Sequence, residues 1–147
     1  MGFDDSQLAT IYDLNTHKLA LNRTRSVFYL TQTADWFFTL QCNLPIQVIP
    51  IPTSEVLMEY LSIRMPDLIV IDKDFETNTL ELIVRLQSLM ETPIVLIAPK
   101  EKKSSRFIKK AYLSGIHDVL FDPVDPEEWQ EIAKPLLKIK TTHSQSH

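Results

Sequence analysis

The chain reads as a doubly wound α/β protein, a parallel sheet between two layers of helices. Two observations carry this. Short apolar runs and segments of helical period alternate five times between Ser26 and about Lys140, the rhythm of consecutive βαβ units. The central runs Leu68–Ile71 (LIVI) and Ile94–Ile97 (IVLI) show no polar alternation. Both of their faces must therefore be buried, as in parallel strands covered on each side. Right-handed crossovers then distribute the helices over both faces.

The elements follow in order. Ser26–Leu30 (SVFYL) is rich in β-branched and aromatic residues, which suits a strand. Ala34–Asn43 predicts a helix with Phe37 and Leu40 on one side and Trp36 on another. The three neighbours Trp36, Phe37 and Phe38 cannot all face one core, so at least one should be exposed. Ile46–Ile51 is a strand that Pro50 moves toward an edge. Ser54–Arg64 places Leu57, Tyr60, Leu61 and Arg64 at helical spacing, with Thr53 or Ser54 as N-cap. After LIVI comes Thr79–Leu89, with Leu80, Ile83, Val84 and Gln87 on one stripe. After IVLI comes Ser105–Ser114, stopped by Gly115, the residue type favoured just past a helix end. Val119–Phe121 is the fifth strand. Asp125-Pro126-Glu127-Glu128 then reads as N-cap, proline at the first helical position and an acid at the third. Trp129, Ile132, Ala133, Leu136 and Leu137 continue that helix, which Pro135 should kink or end.

Three regions result: an N-terminal extension over residues 1–25, a main domain over 26–140, and a polar tail over 141–147 expected to be disordered. The extension reads either as a helix through Leu8, Ile11 and Leu14 or as a hairpin around Asn15–Lys18.

Composition removes several function classes. The chain has 147 residues and two glycines, Gly2 and Gly115, where average usage predicts about ten. Neither a dinucleotide fingerprint, nor a P-loop, nor a nucleophile elbow can be written with one internal glycine. A net charge of −4 argues against nucleic-acid and anionic-membrane partners. Cys42 is the single cysteine, so it forms no internal disulfide and no cysteine-based zinc site. The bland expectation for it is a buried or half-buried thiol, and the compartment expected is the reducing cytoplasm. The four histidines show no metal-ligand spacing.

From Met65 the chain runs MPDLIVIDKDF and later TPIVLIAPKEKKSSRFIKKAYLSGIHDVLFDPVD. This resembles the receiver domain of two-component response regulators, which show patterns like PDLIxxD, P-I-x-x-x-T/S-A and A-x-x-x-G-A-x-D-x-L-x-K-P. The resemblance covers about Ser26–Lys140. It implies a flavodoxin-like five-stranded parallel sheet and places the phospho-accepting aspartate at Asp72. The family's acidic pair after the first strand falls near Thr31 and Gln32, its hydroxyl residue on Ala98, its lysine on Asp122 and its aromatic switch residue on Val119.

Those replacements remove groups that phosphoryl transfer needs, since that chemistry consists mostly of positioning and charge neutralisation. Mg²⁺ takes oxygen ligands, usually carboxylates, and Asp72 is the one carboxylate the motif secures. Asp122 brings a negative charge where the family has a positive one, which should repel a phosphoryl group or require a cation between the acids. The expectation is a degenerate pseudo-receiver: non-enzymatic, without cofactor or metal, acting by protein contact independent of phosphorylation. Its partner would be a sensor kinase, a regulator or a second copy. The segments outside the receiver-like part look too short for a DNA-reading output domain. A cluster at Lys102, Lys103, Arg106, Lys109 and Lys110, preceded by Lys100, is the candidate interface together with Val119. The alternatives are a receiver still phosphorylated on Asp72 by a histidine kinase, and a receiver-like domain that senses a small molecule.

Overall fold

The computed structural model describes residues 24–139. The readings made above for the extension and the tail lie outside these residues, apart from the first strand's opening Arg25.

Five strands alternate with five helices: β1 Arg25–Leu30, α1 Phe37–Gln41, β2 Ile46–Ile51, α2 Ser54–Leu61, β3 Leu68–Asp72, α3 Thr79–Leu89, β4 Ile94–Ala98, α4 Ser105–Leu113, β5 Asp118–Phe121 and α5 Pro126–Leu137. A short 3₁₀ turn, Lys100–Lys102, precedes α4. Every strand pair is parallel and the order is β2-β1-β3-β4-β5, a doubly wound arrangement of flavodoxin type. Every residue of β3 and β4 is buried, as their unbroken apolar runs require. Alternate side chains of β1 serve opposite layers. Phe28 and Leu30 pack with Leu57, Ile83 and Ala111 beneath α2, α3 and α4. Val27 and Tyr29 pack with Leu40 and Trp129 beneath α1 and α5. Trp129 is fully buried, and its indole N–H donates to the Leu40 carbonyl at 3.0 Å, tying α5 to α1.

Local chemistry sets the helix starts. Thr53, Asn78, Ser104 and Asp125 each accept a backbone N–H of the first turn, satisfying donors with no intrahelical partner. Gly115 has φ +112°, and a Cβ there would lie 2.7 Å from the Gln87 side chain, so conformation and space both demand glycine.

The structure corrects several expectations. The first helix is only Phe37–Gln41 because Ala34 and Asn43 adopt positive φ, 56° and 60°. The second ends at Leu61, short of Arg64. Pro135 does not break α5, which runs on to Leu137 and closes at left-handed Lys138. The missing N–H costs the one ladder bond to the Glu131 carbonyl, while Lys138 and Ile139 N–H close the turn on the Pro135 and Lys134 carbonyls. Cys42 is exposed, since it follows the shortened helix. Phe38 is the outward aromatic, 81% exposed.

β2 is an edge strand, and its open side is blunted. The Gln41 side chain donates to the Ile46 carbonyl and accepts the Val48 N–H at 2.9 Å, occupying groups that a further strand would use. Pro50, two residues on, has no N–H to offer. Gln41→Ala is expected to lower stability by about 1–2 kcal/mol and to promote self-association. Urea unfolding and light scattering check the two effects, and an unchanged midpoint would remove this role from Gln41.

Candidate functional site

The C-terminal ends of β1, β3, β4 and β5 converge, as they do where open parallel sheets bind ligands. Asp72 closes β3 and is 2% exposed. A carboxylate so placed must be hydrogen-bonded or protonated. Its Oδ1 accepts the Lys73 backbone N–H at 2.8 Å. Its Oδ2 accepts the Tyr29 phenol at 2.7 Å, with the Thr31 hydroxyl at 3.3 Å. Tyr29 in turn accepts the Trp36 N–H at 3.1 Å. Burial, followed by the hydrogen bond to Asp72, holds the Tyr29 phenol well above the ordinary phenol range. Burial also raises the Asp72 pKa. The Tyr29 hydrogen bond opposes that rise and the nearby Asp74 charge adds to it.

Thr31, directly after β1, is buried beside both acids. It accepts the Ala34 N–H at 2.9 Å and the Thr33 N–H at 3.3 Å. Its single hydroxyl proton serves either Asp72 Oδ2 or Asp74 Oδ1, 3.4 Å away. Gln32 gives its backbone N–H to Asp74 at 3.2 Å and its side-chain amide to the Phe75 carbonyl at 3.3 Å. Thr33 donates to Asp74 Oδ2 at 2.8 Å.

Asp74 is thus a second carboxylate that the motif reading missed. Its signal was present in DKDF, because residues two apart just past a strand can both face its end. Among the described residues, no group of three or more His, Cys, Asp or Glu side chains is arranged to hold a metal ion.

Asp122 follows β5 and forms an ion pair with Lys73. The repulsion expected from Asp122 is therefore answered by a cation from within the chain, supplied by the residue next to Asp72. The pair links the end of β3 to the end of β5, with the two side chains about one third exposed, 32% and 31%. Ala98 ends β4, 1% exposed, and its carbonyl accepts the Asp122 N–H at 3.0 Å. Beside it lies a cleft of about 250 Å³ lined by Lys73, Asn78, Lys102 and Phe107 among others.

The basic cluster borders this site, with Lys102 in the cleft's wall. Lys100, Lys102, Lys103, Arg106, Lys109 and Lys110 are all exposed, and none makes an ion pair among the described residues. Lys102 lies 6.0 Å from the centre of the Phe107 ring and Lys103 5.8 Å from that of Phe121, within cation–π range. The two rings meet edge to face at 6.3 Å.

Val119 corrects the interface reading. It is 8% exposed and packs in the core, contributing only to the floor of a groove of about 780 Å³ beside α4. The half-buried aromatic of β5 is Phe121, two residues later and directed to the same layer. The groove is not uniformly basic, since Glu101, Asp118 and Glu128 also line it.

No protein-family model and no curated protein matches the chain. Solved structures do. The fold is similar to the receiver domain of a Francisella response regulator, with 19% identity and a TM-score of 0.67 over 78% of this chain and 98% of that one. It is similar to a two-component response regulator from Clostridium difficile, with 17% identity and a TM-score of 0.67 over 78% and 97% of the two chains. A third likeness is the signal receiver domain of a histidine kinase from Syntrophus aciditrophicus, with 17% identity and a TM-score of 0.64 over 78% and 91%. The chain has the flavodoxin-like fold of response-regulator receiver domains, and no described helix is long and apolar enough to cross a membrane.

The raised Asp72 pKa makes stability depend on pH with a definite sign. Between the ordinary carboxylate range and the raised value, the folded state keeps a proton that the unfolded chain has released. Stability therefore falls as pH rises through that window. Asp72→Asn cannot titrate, so the variant is expected to lose this slope and to gain on wild type from about pH 4 toward neutrality. Urea midpoints across that range provide the measurement, and parallel curves for the two proteins would contradict it.

Proposed function

We propose that this chain is a pseudo-receiver, a non-catalytic signalling module that acts by protein contact without phosphorylation. The observation that carries the reading is the burial of Asp72 among donors that already engage both of its oxygens. In-line attack on phosphorus requires a free carboxylate lone pair facing the donor. Here both oxygens already hold hydrogen bonds and the side chain is 2% exposed. The family's lysine position is filled by Asp122, whose countercharge Lys73 is engaged with it. Ala98 offers no hydroxyl to a phosphoryl oxygen, and Thr31 and Gln32 supply no carboxylate. Asp74 leaves one acid near the pocket, but its oxygens are held by Thr33, Gln32 and Thr31.

Beryllofluoride with Mg²⁺ tests the phosphorylation-independent part. No saturable, Mg²⁺-dependent change in intrinsic fluorescence is expected. A change that saturates and disappears in Asp72→Asn would instead establish a receiver phosphorylated on Asp72.

The contact surface proposed is the basic face of α4 and its preceding turn, which suits an acidic protein partner. Its cations are unpaired among the described residues, and two are held over aromatic rings. Exchanging Lys102, Lys103, Arg106, Lys109 and Lys110 for glutamate is expected to remove the partners retained by wild type in a pull-down. The same partners retained by both proteins would show that this face is not the docking site.

A further inference from the structure

The opposite edge of the sheet, where the strands begin, gathers large apolar side chains from three consecutive connections. Ile63 and Met65 follow α2, Leu89 closes α3 and Leu113 closes α4. They are 77%, 55%, 62% and 79% exposed. Single exposed apolar residues are ordinary, but four on the connections at one end of the sheet offer apolar area on which a further segment can pack.

Hydrogen bonds tie these ends together. Ser26 N–H donates to Asp67 Oδ2 at 2.8 Å and Asp67 N–H to the Ser26 carbonyl at 2.8 Å, so β1 starts beside the segment carrying Met65. The Thr92 hydroxyl donates to the Pro66 carbonyl at 3.3 Å, bringing the α3–β4 turn to the same place. Gln87 Nε2 donates to the Gly115 carbonyl at 2.8 Å, which sets the end of α3 against the end of α4.

Both remaining segments of the chain leave from this edge, because Arg25 Nε donates to the Leu137 carbonyl at 3.0 Å. Residues 140–147, KTTHSQSH, contain no apolar side chain. Residues 1–23 do: Leu8, Ile11 and Leu14 recur at every third position, and Leu19 and Leu21 follow. Length permits the contact. Thr24 is ten residues beyond Leu14, a reach of up to about 33 Å. The three strand spacings from β1 to β5 amount to only about 14 Å.

We propose that residues 1–23 dock on this edge through Leu8, Ile11 and Leu14 and cover Ile63, Met65, Leu89 and Leu113. The chain then holds its own N-terminal segment against the edge opposite the carboxylate pocket.

Trypsin on the full-length protein tests the docking, with Lys18 and Arg23 as reporter sites inside the segment. Ile63→Glu and Leu113→Glu change only outward side chains, and circular dichroism verifies that both variants fold. Cleavage at Lys18 and Arg23 is expected to be at least roughly tenfold faster in these variants than in wild type. Cleavage within the exposed Lys100–Lys110 stretch serves as the internal reference and should be unchanged. Replacing Leu8, Ile11 and Leu14 together by aspartate should give the same fast cleavage from the other side of the contact. Wild type cleaved as fast as the variants overturns the proposal. So does a wild-type dimer that Leu113→Glu dissociates while the triple aspartate variant stays dimeric, because a second copy would then cover the edge.

Discussion

A carboxylate at the end of a strand buried on both sides is the constraint around which this molecule's C-terminal edge is arranged. Burial pushes Asp72 toward its neutral form, and hydrogen bonds pull it back toward the charged one. Two of the donors do a second job. The Tyr29 phenol also takes the Trp36 N–H, fixing the approach to α1. Thr31 also takes the N–H groups of Thr33 and Ala34, holding the loop in which Ala34 has φ 56°. The loops over β1 and the acid at the end of β3 are therefore one hydrogen-bonded unit.

The same edge solves its electrostatics by exchange. Acids at positions 72, 74 and 122 would repel one another if left alone. Lys73 answers Asp122, and hydroxyl and amide donors answer Asp74. The cations of α4 and its preceding turn are left outside this arrangement, and two of them, Lys102 and Lys103, lie over aromatic rings. The apolar residues at the far edge lie where the chain enters and leaves the sheet, so the two ends of the strands carry different kinds of surface.

Much of the fold was legible in the linear pattern. The central strands announced themselves because two-sided burial leaves no room for polar alternation, and Pro50 marked an edge because a central strand needs every N–H. Two capped helices began where Thr53 and Asp125 placed a side-chain acceptor. Errors fell where tertiary contacts overrode local preference. Positive φ at Ala34 shortened α1, and Thr31 and the sheet end hold that loop rather than any helical period. Val119 was expected at the interface, but burial beneath α4 takes it off the surface.

Apolar period and capping chemistry thus determine the strand and helix layout by themselves, because they act between residues close along the chain. Motif spacing also singled out Asp72, Thr31, Gln32, Ala98 and Asp122, which lie at or just past the ends of β1, β3, β4 and β5. What those residues touch was decided only by the fold. Tyr29 reaches Asp72 across 43 positions and Lys73 reaches Asp122 across 49. No local pattern encodes such pairings, since they arise from the parallel strand order that gathers the ends of β1, β3, β4 and β5 at one edge.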